Sequence, residues 1–320
     1  MTKFALAMGC SLTKPESLVR GDAAVLLSPS YQTPYENIEN GAALLRSHGL
    51  KPVIGENCRE VFQGQYAGTP RRRAESLLQA LCDPLVKAII CNRGGYGALH
   101  LLDLIPPETI AANPKWLVGY SDISTLHAMF NKAGVMSLHA PMCSSFAKDS
   151  RSLSTELMMD VLAGAVPRYR LPGDSRNIPG HAEGRLTGGN LCTITPLLGT
   201  WADWTRDGDF ILFLEDVEEP MHNIDRQFNV LRLSGALDRC KGVILGEFTD
   251  CAGEFTLPDV ESLLLEYLRG YGIPVVCGFP AGHDEVNLPL LMGARTCLDV
   301  TDQGAEISFA TQGPVREILL

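Results

Sequence analysis

Lys115-Trp116-Leu117-Val118-Gly119-Tyr120-Ser121-Asp122-Ile123-Ser124 is the stretch whose reading decides the fold. The bulky apolar run from Trp116 to Val118 predicts a short buried strand. Beyond it, apolar residues from Ile123 to Lys132 recur at helical spacing, so strand and helix are joined by a very tight turn. A serine at such a turn is pushed out of the fold, with backbone N–H groups of the new helix beside it. That is the geometry of a nucleophile elbow, an exposed hydroxyl next to a ready anion site. Taken alone, the stretch favours a plainer reading, in which Ser121 caps the helix that follows.

Working outward, the first half of the chain alternates. Strands are predicted over residues 23–27, 52–54, 87–91, 116–120 and 136–139, and helices over 38–48, 70–82, 98–102 and 123–132. Pro70 suits the first turn of its helix, and Arg71-Arg72-Arg73 reads as a solvated first turn. Strands alternating with helices imply a parallel sheet covered on both faces, with ligands at the carboxyl ends of the strands. Ser121 stands at one such end. Asn92-Arg93-Gly94-Gly95-Tyr96-Gly97 stands at another, and its glycines allow close backbone approach to a ligand. An N–H from this loop, paired with that of Asp122, would form an oxyanion hole. The alternatives are a flexible turn or a phosphate cradle, although the pattern is neither G-x-G-x-x-G nor a P-loop.

From residue 151 to 179 the composition shifts to prolines and glycines. The shift predicts a linker over 166–181 between an N-terminal unit, 1–165, and a C-terminal unit, 182–320. In the second half, strands are predicted over 182–186, 210–214, 242–246 and 274–278, with Gly188-Gly189-Asn190 as a turn. Glu215 is the first polar residue after five apolar ones and heads the cluster Glu215, Asp216, Glu218 and Glu219. It reads as a held carboxylate, a cap or half of a salt bridge; the cluster also suits a hard cation, but without the spacing of a known site. His283 follows a Pro-Ala-Gly turn at another strand end. His139 is its chief competitor for a functional role, and His127 reads as a packing residue. No zinc-ligand spacing such as H-E-x-x-H occurs.

Composition bounds the partners. The 320 residues suggest two domains, and a formal net charge of −10 argues against nucleic acid or an anionic membrane surface as a partner. No apolar stretch approaches the roughly 20 residues of a membrane span. Ten cysteines without a C-x-x-C, several inside apolar runs, fit a reducing cytoplasm. Residues 1–20 faintly resemble a lipoprotein leader around Cys10, but are read as a leader or an edge segment rather than an export signal.

Several ordered motifs together resemble the LD-carboxypeptidase family of serine peptidases. They are Arg93-Gly94-Gly95-Tyr96-Gly97, Gly119-Tyr120-Ser121-Asp122-Ile123, His139-Ala140-Pro141, Gly188-Gly189-Asn190-Leu191, Leu214-Glu215-Asp216-Val217, Gly246-Glu247-Phe248 and Gly278-Phe279-Pro280-Ala281-Gly282-His283. The resemblance runs from Gly21 to about Arg295. It implies a Ser–Glu–His triad at Ser121, Glu215 and His283, with backbone oxyanion donors at Gly95 and Asp122. It implies an α/β fold: an N-terminal doubly wound, mainly parallel sheet domain followed by a smaller β-rich α/β domain. Frequent homodimers, a small peptide or muropeptide substrate, and no metal or other cofactor are also expected. Arg93 is a candidate anchor for a terminal carboxylate, with a structural salt bridge as the alternative. Three functions remain open: a murein LD-carboxypeptidase, an immunity peptidase acting on aminoacyl-nucleotide antibiotics, and a non-catalytic small-ligand binder. The second would call for an aromatic platform, for which Trp201 and Trp204 are candidates.

Overall fold

In a computed structural model, which describes residues 12–146, 152–253 and 256–320, the alternation of the first half builds one sheet and the second half builds another. The strands of the first half are β1 (Ala23–Leu27), β2 (Lys51–Ile54), β3 (Val86–Cys91), β4 (Trp116–Gly119) and β5 (Ser137–His139). Those that follow are β6 (Val166–Pro172), β7 (Gly180–Asn190), β8 (Phe210–Val217), β9 (Cys240–Thr249) and β10 (Val275–Val276). The last four are β11 (Leu290–Met292), β12 (Arg295–Thr301), β13 (Gly304–Phe309) and β14 (Val315–Leu319).

β1 to β5 pair in parallel in the order β5-β4-β3-β1-β2. Near-continuous apolar sequence makes β3 and β4 suited to burial on both faces. The sheet is not closed by the first half alone: β11, from the far end of the chain, adds an antiparallel edge against β5. The second sheet runs β10-β9-β8-β7-β12-β13-β6-β14. Its β7, β8 and β9 are mutually parallel, and β12, β13 and β6 continue it antiparallel.

The stretch expected as a linker over 166–181 therefore holds β6, which pairs with both β13 and β14. Its prolines and glycines fall at the ends of paired strands, not in an unstructured connection. The predicted turn Gly188-Gly189-Asn190 is also different, being the last part of a continuous β7. A Cβ on Gly189 would collide with the Ser124 hydroxyl, so the glycine lets β7 lie against the start of helix Ser124–Lys132. Asn190 N donates to Ser124 Oγ at 3.0 Å across this contact. One apolar cluster spans both sheets, joining Leu26, Leu117 and Met129 to Leu186, Ile211 and Phe213. Of residues 1–20, those described pack on the core: Leu12 and Leu18 are buried and Trp116 Nε1 donates to Glu16 O at 2.9 Å. The leader motif up to Cys10 lies outside the described residues. No helix among the described residues is long and apolar enough to cross a membrane.

Candidate active site

Ser121 follows β4 after Tyr120 alone and adopts φ 64°. This left-handed backbone costs a residue with a Cβ about 1–2 kcal/mol. Ser121–Ile123 forms one 3-10 turn that feeds helix Ser124–Lys132, and neither start is capped by a side chain. The cap reading is thus replaced by the elbow. A Cβ on Gly94 would stand 2.9 Å from Ser121 Cβ and 3.0 Å from its Oγ, so only glycine lets the loop after β3 close over the serine. Among the described residues no acceptor takes the N–H of Gly95 or of Asp122. Both residues line, with Ser121, a cavity of about 240 Å³.

The Asp122 side chain has a different task from its N–H. Its buried carboxylate accepts from Ser30 Oγ at 2.5 Å and from Ala98 N at 2.8 Å. Burial pushes its pKa up to about 6, against the pull of those two bonds and of Arg73. Arg73 is the residue that the sequence reading misplaced. It is fully buried, donating Nη1 to Pro29 O at 2.6 Å and to Gly97 O at 2.7 Å. The missed signal is its spacing: Arg73 shares the helix face of Leu77, Ala80 and Leu81, all buried.

β8 extends beyond the predicted end and carries Glu215 inside it, fully buried. Glu215 Oε2 accepts from His283 Nδ1 at 2.7 Å. With Nδ1–H held by the carboxylate, Nε2 is the nitrogen left to move a proton. Burial pulls the imidazole pKa down, but the charge and hydrogen bond of Glu215 outweigh it and hold it above its ordinary value. The His283 ring rests edge-on against Tyr120, centroids 4.9 Å apart, which places it beside the elbow. Ser121 and His283 do not hydrogen-bond to each other among the described contacts. Such bonds commonly tighten only around substrate.

His283, Tyr120 and Arg93 line a second, larger cavity of about 700 Å³, with the hydroxyls of Ser144, Ser145 and Thr155. Arg93 is exposed; it donates weakly to Gln32 O at 3.5 Å and lies over the Tyr31 ring. No carboxylate pairs with it among the described residues, so the salt-bridge alternative is not what the structure shows. A guanidinium at the rim of a hydroxyl-rich cavity suits a carboxylate.

The other candidates separate cleanly. His127 is buried between Ser137 Oγ and Gly119 O, as a packing residue would be. His139 is buried too, bonded through Nε2 to Asn287 Oδ1 at 3.0 Å, and burial pushes its pKa down to about 3. It supports the loop that carries His283, since Asn287 Oδ1 also accepts from Gly282 N. The acidic cluster does not converge: Asp216 accepts from Asn190 Nδ2, Val217 N and Cys192 N, while Glu219 accepts from Asn223. Trp201 and Trp204 spend their indole N–H groups on Leu102 O and Ile194 O, and neither lines either cavity.

The chain matches the LD-carboxypeptidase N-terminal domain over residues 25–140 and the LD-carboxypeptidase C-terminal domain over residues 183–298. It is 30% identical over 283 residues to the murein tetrapeptide carboxypeptidase of Pseudomonas aeruginosa, covering 86% of this chain and 92% of the relative. It is 29% identical over 315 residues to the microcin C7 self-immunity protein MccF of Escherichia coli, covering 88% and 90%. Among solved structures it superposes on a muramoyltetrapeptide carboxypeptidase from Oxalobacter formigenes with a TM-score of 0.80 at 25% identity, covering 91% of this chain and 99% of that one.

Proposed function

Because the chain belongs to the LD-carboxypeptidase family, we propose that this serine peptidase releases the terminal D-Ala of murein tetrapeptides through Ser121, His283 and Glu215. The observation that carries the reading is the buried Glu215–His283 bond of 2.7 Å beside a strained serine elbow. An aliphatic hydroxyl is a poor nucleophile until a positioned base takes its proton. His283 Nε2 accepts the Ser121 proton as Oγ attacks the carbonyl carbon, then passes it to the leaving amine. Glu215 fixes the imidazole tautomer and stabilises the imidazolium. The N–H groups of Gly95 and Asp122 receive the oxyanion, a donation worth about 100- to 1,000-fold each. Water then attacks the acyl-enzyme with His283 again as base.

Arg93 holds the terminal carboxylate from the larger cavity in this reading. Measured on a tetrapeptide and on its C-terminal amide, Arg93→Ala should lose activity on the acid alone; an equal loss on both removes the anchor. The reading also includes a two-domain division with the nucleophile on one side and its partners on the other, a cytoplasmic setting and a homodimer. Incubation of the purified protein with UDP-MurNAc-tetrapeptide and with a peptidyl adenylate analogue, followed by mass spectrometry, tests the substrate. Loss of D-Ala from the first is expected; cleavage of the second alone would transfer the assignment to an immunity-type peptidase.

A further inference from the structure

Away from the serine and its partners, β7 and β12 present four ligand-bearing side chains side by side. Their antiparallel register sets His181 opposite Asp299 and Glu183 opposite Cys297. Residues two apart on a strand share a face, so all four project outward while Ala182, Leu298 and Val300 point into the core. One ligand atom from each of His181, Glu183 and Cys297 lies within 4.8 Å of the other two. Asp299 Oδ1 accepts from His181 Nδ1 at 2.5 Å, and Cys297 Sγ donates to Asp299 Oδ2 at 3.3 Å. The other ring nitrogen, Nε2, stands 3.9 Å from Glu183 Oε1. Arg295 pairs with the second Glu183 oxygen and leaves Oε1 toward the imidazole.

We propose that His181, Glu183 and Cys297 form a surface site for a zinc-like divalent cation; Cys297 Sγ stands 4.0 Å from His181 Nδ1, the nitrogen that Asp299 holds, so binding turns the thiol toward Glu183 while Asp299 keeps the imidazole in place. Zinc takes nitrogen at about 2.0–2.1 Å, sulfur at about 2.3 Å and carboxylate oxygen at about 2.0–2.2 Å, so tetrahedral donors stand about 3.3–3.8 Å apart. Closing the present spacing calls for side-chain rotation alone, because all three residues stand on paired strands. Imidazole, thiolate and carboxylate together match zinc and its neighbours; calcium and magnesium call for oxygen alone. A carboxylate hydrogen-bonded to a ligating histidine is the usual device for fixing its tautomer. Binding exchanges the Cys297 S–H bond for a sulfur–metal bond, the proton leaves to solvent, and no oxidation state changes. The fourth position faces water. β7 runs on from this site to Asn190 at the other end, about 30 Å away at about 3.3 Å per residue, so hydrolysis and metal binding are separable.

The test is a titration of the metal-free, full-length protein with cobalt(II) chloride alone, followed by absorbance and calorimetry. One equivalent should bind, with a thiolate-to-cobalt charge-transfer band, and zinc(II) chloride should displace it. Cys297→Ser should abolish the band. His181→Ala should weaken binding by at least about 10-fold, and Asp299→Asn by about 10- to 100-fold. Peptidase turnover should be the same with and without the metal in every variant. A band that survives Cys297→Ser, an isotherm unchanged by His181→Ala, or no saturable binding overturns the site.

Discussion

Arg73 and Asp122 grip opposite ends of a single peptide unit. Arg73 Nη1 donates to Gly97 O at 2.7 Å, and the adjoining Ala98 N donates to the Asp122 carboxylate at 2.8 Å. Both side chains are buried, so the peptide between them is held by a cation on one side and an anion on the other. The grip ends the Gly-rich loop that covers Ser121, and Asp122 supplies one proposed oxyanion N–H. Under that proposal the buried arginine is a positioning residue for the hole.

Arg73→Met should keep the apolar stem but release the loop. A displacement near 1 Å at reacting atoms costs about 100-fold, so kcat should fall by about that factor with KM nearly constant. Removing the guanidinium also leaves the buried carbonyls of Pro29 and Gly97 without their donor, at about 1–3 kcal/mol of stability each. Steady-state kinetics below the melting transition separate the two effects. An unchanged kcat in a folded Arg73→Met enzyme would show that the grip serves folding alone.

Ser121→Ala should abolish nearly all turnover while binding substrate about as well, because the hydroxyl matters in forming the covalent intermediate. The φ of 64° adds a second, independent expectation. Ser121→Gly should be inactive too, yet should melt above Ser121→Ala, since glycine relieves strain of about 1–2 kcal/mol. Equal melting temperatures in the two variants would count against a strained elbow.

Glu215→Gln is nearly isosteric but uncharged, and its amide can present N–H to the imidazole. By the logic of a triad Asp→Asn change, worth about 10,000-fold, kcat should drop by at least about 100-fold with KM little changed. The double variant with Ser121→Ala should be scarcely worse than Ser121→Ala alone. A near-normal kcat would move the acid elsewhere, with Asp284, on the rim of the larger cavity, the first residue to test.

The pH profile follows from His283. The base must be neutral, and its pKa lies above the ordinary 6.5 because Glu215 outweighs burial. The acid limb of kcat/KM should accordingly fall through that raised value as pH drops. In Glu215→Gln burial is opposed only by the weaker pull of Asp216 and Glu218, so the residual activity should show its acid limb at lower pH. The stability linkage has the opposite sense: protonated His283 stabilises the fold fully below about 6.5, and the contribution is lost as pH rises through the raised pKa. An acid limb unmoved by Glu215→Gln would break the link between this histidine and the profile.

Much of the first sheet was legible because its signals are local. Apolar runs and helical spacing mark β1, β3 and β4 directly, and the tight join after Val118 marks the elbow. The rest was harder to read. β11 is three residues long and sits against β5, more than a hundred residues earlier, so no local period reveals it. β6 was hidden by Pro167 near its start and Pro172 at its end, which read as breakers although the strand is paired on both sides. Arg73 was misread because charge usually means solvent, and here three carbonyl groups take the place of water.

The sequence by itself determined the residue types and their order: a serine at a strand end, a glycine loop before it, and an acid and a histidine at later strand ends. It also determined alternating elements, an acidic surface charge and the family motifs, since each depends on neighbours along the chain. Only the tertiary structure decided which acid meets which imidazole. Glu215, not Asp284, bonds His283, and His139 is turned instead to Asn287. It also decided that Arg73 is buried and that Arg93 has no carboxylate partner among the described residues. The physical reason is that hydrogen bonds and burial act over a few ångströms of space, whereas these partners lie tens to more than a hundred residues apart along the chain.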